Sequence, residues 1–480
     1  MTRSITVSPT NLTSKILGPD GKPLSLAYEA SSSSARLGNW GGQDISPTGA
    51  DSEQSILKRR ARDMVRNMPF SARAIAADVA NEIGTGIKVK PATPDKDFNK
   101  DLKALYKDWM PQADAADILS LFGIQAQAVR ARRESGEVFI RSRARRPQDG
   151  LVVPLQFQVI ESDFCPTTLN QTRKNGNQIK SGIEFNAIGK RVAYWFYRQH
   201  PSDGGNLSDM VRVPAEQVIH HFIPLRPGQI RGMPVGVQAF IKAFVYDKYD
   251  NAELVRKESR AQFTGVITQE PFGDDFDESE YNFDPITGQP LDGQVGAFNI
   301  EPGTFKSLER GEDFKLFEGD NGGAHEMDFA RRQLLAIAAA YGVPYEILTG
   351  DYSKINDRVW RAIMNQYRRE LEQTIEHYTI QQICRAMHAM FVDAVVLNGC
   401  CKIPFDYAAQ PHAYKRATYH PHAWPYIHPV QDIQALKLAE EMGLDSMPAI
   451  QESRNKDPDQ VAKERKEHKE RLADYGLLVE

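Results

Sequence analysis

Ten residues, Ile347-Leu348-Thr349-Gly350-Asp351-Tyr352-Ser353-Lys354-Ile355-Asn356, join two segments that both read as helix. The segment before them, about Glu326 to Tyr341, carries Met327, Ala330, Leu334, Ile337, Ala338 and Tyr341 as one apolar stripe at helical spacing. Gly342 and Pro344 then supply a stop. The segment after them, about Asp357 to Ala394, places Val359, Ile363, Tyr367, Leu371, Ile375 and Tyr378 three or four apart. At ~1.5 Å per residue that helix would be roughly 60 Å long, far above the usual globular length. A short loop pinned between a helix and a very long helix is held at a fixed radius. The pattern is that of a scaffold, not of a catalytic pocket.

The rest of the chain has room for several domains. It has 480 residues, 41% hydrophobic and 25% charged, the composition of a globular protein. A net charge of −4 gives no bulk attraction to nucleic acid or an anionic membrane. No run reaches the ~18 apolar residues of a membrane span, and no charged-then-apolar leader opens the chain, so we expect a cytosolic or particle-borne protein with no membrane partner. Cys165, Cys384, Cys400 and Cys401 show no metal-ligand spacing and are expected as free thiols.

Residues 1–50, with Ser31-Ser32-Ser33-Ser34 and Gly41-Gly42, lack periodicity and read as an extended arm. Helical spacing begins at about Glu53 and resumes over Ser71 to Ile83. Strands are expected at 137–140, 155–160, 182–185, 192–197 and 218–222. A second long helix, about Val235 to Gln262, carries Val237, Phe240, Ile241, Phe244, Val245, Tyr249, Ala252 and Val255. Helices with strands in blocks rather than strict alternation give an α+β class. Residues 263–324 form a Gly- and Pro-containing insertion with 14 acidic against 3 basic residues, a net −11, which leaves +7 for the remainder. Such segregation marks a surface.

No phosphate-cradling GxxxxGK[ST] loop, GxSxG, HExxH or paired CxxC occurs, so neither catalysis nor a cofactor is expected. The run Asp274 to Asp284 has Glu280 where a calcium loop needs glycine, and reads as a solvated acidic loop. His412, His420, His422 and His428 lie among Tyr414, Tyr419, Trp424, Tyr426 and four prolines, an aromatic connector rather than a metal frame. Arg130, Arg132, Arg133, Arg141, Arg143, Arg145 and Arg146 could form a phosphate-binding face. A solvated or inter-subunit salt-bridge face is the plainer reading. Lys463 to Arg471 alternates in sign, as an exposed helix with i,i+4 pairs does.

Five stretches then resemble, in order, the lambda-type portal (head-to-tail connector) proteins of tailed phages. They are Arg60 to Asn67 continuing through Asn81 to Ile87; Leu155 to Asp163; Gly182-Ile183-Glu184-Phe185 with Ala193 to Phe196; Ile219 to Phe222 with Arg226 to Pro234; and Ile337 to Ser353. Asn356-Asp357-Arg358 stands where that family would bring a Ser-rich stretch before an arginine. The resemblance implies a portal fold. An α/β wing would take 51–234 and, with its long helix and connector, 357–428. A two-helix stem would take 235–262 and 326–343, a small β-containing clip 263–325, a channel loop 344–356, and a helical C-terminal crown 429–480.

It further implies a homo-oligomeric ring, usually dodecameric, at one capsid vertex of the virion, assembled in the host cytoplasm. Double-stranded DNA would pass through it without sequence reading. The expected partners are the terminase large subunit, a head-completion or tail connector protein, the major capsid protein and the scaffold. Asp351, Tyr352, Ser353 and Lys354 are the expected DNA-facing residues. Asp274, Asp275, Asp277 and Glu278 are the expected docking face of the clip. The alternatives are another structural virion component, or a nuclease whose clustered carboxylates hold Mg²⁺.

Overall fold

The computed structural model describes residues 45–46, 48–204, 208–262, 266–269, 312–315, 323–426, 428–454 and 456–474. The N-terminal arm up to residue 44 and most of the acidic insertion, including Asp274, Asp275, Asp277 and Glu278, lie outside them.

Among the described residues the named strands all pair antiparallel, and the elements fall into blocks, consistent with the α+β class. Helices α1 (Gln54–Asn67) and α2 (Pro69–Glu82) come first, then strand β1 (Lys88–Pro91) and helices α3 (Lys96–Trp109) and α4 (Leu121–Ser135). Strands β2 (Glu137–Ala144), β3 (Leu155–Glu161) and β9 (Val218–Phe222) form one sheet in the order β3-β2-β9. Strands β4 (Gln171–Thr172), β5 (Gln178–Lys180), β6 (Ile183–Phe185), β7 (Arg191–Tyr197) and β8 (Met210–Pro214) form a five-stranded meander.

The two sheets explain why Val138-Phe139-Ile140 is apolar without alternation. Val138 and Ile140 enter a core with α3, α4 and residues 383–395, while Phe139 enters another with Tyr194 and Phe196 of β7. A strand buried on both faces loses its polar side.

Helix α5 (Phe240–Gln262) leads to the strand pair β10 (Val266–Gln269) and β11 (Glu312–Lys315), and α6 (Gly323–Tyr341) returns. After the short helix α7 (Tyr345–Thr349), one continuous 41-residue helix runs from Asp357 to Leu397. It comprises α8 (Asp357–Thr374), a π-helical segment (Ile375–Cys384) and α9 (Arg385–Leu397). Its buried side shows why the predicted stripe slips. Val359 is 46% exposed, and the buried positions are Met364, Tyr367, Leu371 and Ile375, then Thr379, Ile380, Ile383 and Cys384. The wider π turn carries the face past Tyr378. The helix is long and apolar enough to cross a membrane by length and composition, yet its apolar side contributes to three protein cores in turn.

Past α9, β12 (Ala417–His420) pairs with β1, and α10 (Pro429–Glu441), α11 (Met447–Ser453) and α12 (Pro458–Asp474) complete the chain. The 412–428 stretch is packed as an aromatic connector. The Arg454 guanidinium sits 3.6 Å over Tyr426, Arg368 lies over Trp424, and Trp424 Nε1 donates to Glu372. In α12 the expected i,i+4 pairs form between Lys463 and Glu467 and between Lys466 and Glu470.

One charged cluster locks these layers. Arg132 and Arg133, read from sequence as a solvated or salt-bridge face, point inward. Arg132 reaches the buried Glu82 carboxylate at 2.6 Å and Arg133 reaches Asp78 at 2.7 Å. Tyr367 donates to Asp78, and Thr379 of the π segment donates to Glu82. Burial pushes Asp78 up to about 6 despite Arg133. Glu82 is held down at about 2, since Arg132 and Arg133 outweigh its burial. Sequence spacing could not reveal this, because the acids sit ~50 positions from their cations.

Three buried histidines set an acid limit. Burial lowers His220 to about 4, His221 to about 3 and His388 to about 4, from an ordinary 6.5. Folding favours their neutral forms, so this contribution is whole above pH 6.5 and is lost as pH falls toward 4. Asp78, raised from 3.8, works the other way between those values. Three groups outweigh one, so thermal midpoints measured from pH 7 down to 4.5 are expected to fall. Both ring nitrogens of His388 lack partners among the described residues. His388→Leu is therefore expected to raise stability by about 1–3 kcal/mol and to flatten the acid slope. A midpoint that stays level over that range contradicts the assignment.

Candidate functional site

Pro344 starts α7, and Gly350 ends it in the left-handed region at φ +74°, with its amide donating to Glu346 O at 2.8 Å. That left-handed conformation suits glycine, since residues with a side chain rarely adopt it. The turn that follows is internally tied. Asp351 Oδ1 accepts from the Ser353 amide at 3.0 Å and from its hydroxyl at 2.6 Å. The Ser353 hydroxyl, followed by its amide, holds the Asp351 carboxyl below its usual range. Tyr352, 50% exposed, leans edge-on against Trp360 at 5.4 Å. Asn356 caps α8, its Oδ1 accepting from Val359 N at 3.0 Å. That explains the asparagine where a Ser-rich stretch was expected: either residue type can cap.

The four predicted loop residues thus share one compact turn but differ in role. Asp351 and Ser353 bind each other, Tyr352 is half-propped, and Lys354 stands exposed as the single cation of 350–356.

Beside the loop, α5 is apolar on two sides. Ala239 just before it and Phe240, Ala243 and Tyr246 are buried in one core with Leu334, Ile337, Ala338 and Tyr341 of α6. The opposite side exposes Ile241 (79%), Phe244, Val245 and Val255, and α6 adds exposed Met327, Phe329 and Leu335. The sequence merged both sides into one stripe. A helix apolar all round is normally buried, and a patch of this kind marks an interaction surface.

The sheets that carry this unit are clamped by Arg231, from the Arg231-Gly232-Met233-Pro234 stretch. Its guanidinium is fully buried. It donates to Glu137 Oε1 and Oε2 through Nε at 2.9 Å, and to the carbonyls of Ser181 and Cys165 at 2.6 and 3.1 Å. Glu137 also accepts from Gly232 N at 3.0 Å and faces His220 Nε2 at 3.1 Å. Although burial opposes it, Arg231 holds this carboxyl well below its usual range. Gly232 is required by closeness: a Cβ there would lie 2.0 Å from Gly136 O.

Sequence reading missed this clamp, since only the tertiary fold brings residue 231 to residue 137. The nearest approach to a metal site among the described residues is Glu161, Asp163 and His200. Arg62 and Lys58 already pair with those carboxylates, Arg62 to Asp163 at 2.5 Å and Lys58 at 3.9 Å. Such cations compete with a metal ion.

The family model described as phage portal protein, lambda family, matches residues 33–374. A probable portal protein of Halomonas phage phiHAP-1 is 26% identical over 440 residues, covering 88% of this chain and 82% of the relative. Among solved structures, similarity extends to a chain in the neck of an empty GTA particle computed with C6 symmetry. There the identity is 14% over 85% of this chain and 94% of that one, with a TM-score of 0.46. A chain in the virion of a native gene transfer agent particle matches at 14% identity over 79% and 95%, with a TM-score of 0.40.

Proposed function

Because the chain belongs to the lambda family of phage portal proteins, a structural and not a catalytic family, we propose that its copies close into a ring, usually dodecameric in such proteins, at one capsid vertex. The single observation that carries this reading is the second apolar side of α5. Among the described residues nothing covers it, although the same helix buries its other side normally. Head-to-tail contact, in which each subunit offers two different faces, closes a ring and hides such a surface.

In this reading 51–234 and 357–428 form the wing, α5 and α6 the stem, 263–325 the clip and 429–480 the crown. The turn at 350–356 faces a central channel for double-stranded DNA during packaging and ejection. A single cation per subunit suits a conduit, because each phosphate contact tightens binding and a ring repeats it in every copy. The clip docks the terminase large subunit and later the head-completion or tail connector protein. The outer surface meets capsid protein and scaffold.

Deleting residues 350–355 is expected to leave rings intact in negative-stain images while packaged-DNA yield drops several-fold. Normal packaging and retention by such rings would remove the loop from this role. The same assay on a variant with Asp274, Asp275 and Asp277 reversed to lysine reads the docking role of the clip, which fails if yield is unchanged at low salt.

A further inference from the structure

The arginine cluster seen in the sequence splits in two. Arg132 and Arg133 are spent on Glu82 and Asp78. Of the other five, Arg141, Arg143 and Arg145 stand two residues apart along β2 and its extension, where Arg145 N still pairs with Pro154 O. Alternation puts them on one face, beyond the point where Phe139 is covered by Tyr194 and Phe196.

Their neighbours are neutral. Arg143 donates to Gln158 Oε1 at 3.0 Å through Nε, and Arg145 to Gln156 Oε1 at 2.7 Å. Gln156 is fixed in turn by the carbonyls of Gln112 and Asp114. Among the described residues no carboxylate pairs with any of the three, and Arg141 Nε has no partner at all. After burial, the charge that most weakens the hold of Arg141 on its proton is Arg143, and for Arg143 it is Arg145. Three like charges are therefore held together with no carboxylate among the described residues to offset them.

We propose that Arg141, Arg143 and Arg145 form a ladder that binds the sugar–phosphate backbone of nucleic acid, a contact separate from the 350–356 turn. Successive rungs stand ~7 Å apart along a strand, comparable to the step between neighbouring phosphates of one nucleic-acid strand. Guanidinium forks match phosphate oxygens in geometry as well as charge. A protein partner fits less well, because protein interfaces centre on aromatic or aliphatic anchors and this face offers glutamines. The inference does not depend on ring formation.

The test is fluorescence anisotropy of a labelled 30-base-pair duplex with the assembled full-length protein across a salt series. R141Q/R143Q/R145Q is expected to weaken binding about tenfold or more at low salt and to make the log K against log salt slope shallower by about 2–3. The charge-matched R59Q/R60Q/R66Q, all exposed on α1, should change either quantity far less. R141K/R143K/R145K, which keeps charge and loses the fork, should fall between wild type and the glutamine variant and confirms that the strand is folded. Equal loss in both glutamine variants would reduce the effect to net charge and overturn the ladder. So would unchanged DNA binding accompanied by loss of subunit assembly, which would assign the ladder to an acidic face of a neighbouring copy.

Discussion

Glu137→Ala is expected to cost about 3–5 kcal/mol of folding free energy, the range found when one member of a buried ion pair is removed. The loss is large because Arg231 would stay fully buried without its counter-charge, and Gly232 N and His220 would lose an acceptor together. Urea unfolding of the variant reads the effect as a lower midpoint at an unchanged slope. The double variant Glu137→Ala/Arg231→Met should recover part of the loss, since an unpaired guanidinium is the costlier half. A single variant within about 1 kcal/mol of wild type would mean that the clamp behaves like a surface pair.

Phe244→Glu combined with Val245→Glu is expected to abolish the ring while leaving the subunit folded. Both side chains are more than half exposed in the single chain, 53% and 58%, so the fold loses little. Every subunit contact in a closed ring would acquire two unpaired carboxylates in an apolar seam, and a cost of several kcal/mol at each contact leaves no assembly. Native mass spectrometry and negative-stain imaging check this, with circular dichroism to establish folding. Lys242→Glu, a charge change at an already charged exposed position, is the control. Rings that persist in the double variant would show that this side of α5 faces something other than a second copy.

How much of this was legible beforehand follows from the range of each signal. Local periodicity gave the helices around the 347–356 loop, the strands at 137–140, 155–160, 192–197 and 218–222, and the exposed C-terminal helix, because those patterns repeat within one element. The turn at Asp351 to Ser353 was legible as a loop, while its internal hydrogen bonds needed coordinates. Two things escaped. The phase of the long helix slipped because a π segment changes the residues per turn, which no apolar count announces. The fate of the arginines escaped because Arg132 and Arg141 look alike in sequence and differ only in whether a carboxylate from a distant element arrives. Motif order carried the family, and tertiary packing alone told which member of each motif bears charge inside the protein.

The long helix has one more consequence. Tyr367, Thr379 and Gln382 bind it to Asp78, to Glu82 and to the backbone of Phe222, so only its first three turns extend as a lever, about 17 Å from Tyr367 to Asn356. A tilt of one degree at that pivot moves the far tip by about 0.3 Å. On the proposed ring every copy would swing inward or outward alike, and the aperture would be tuned by side chains that never see what passes through it.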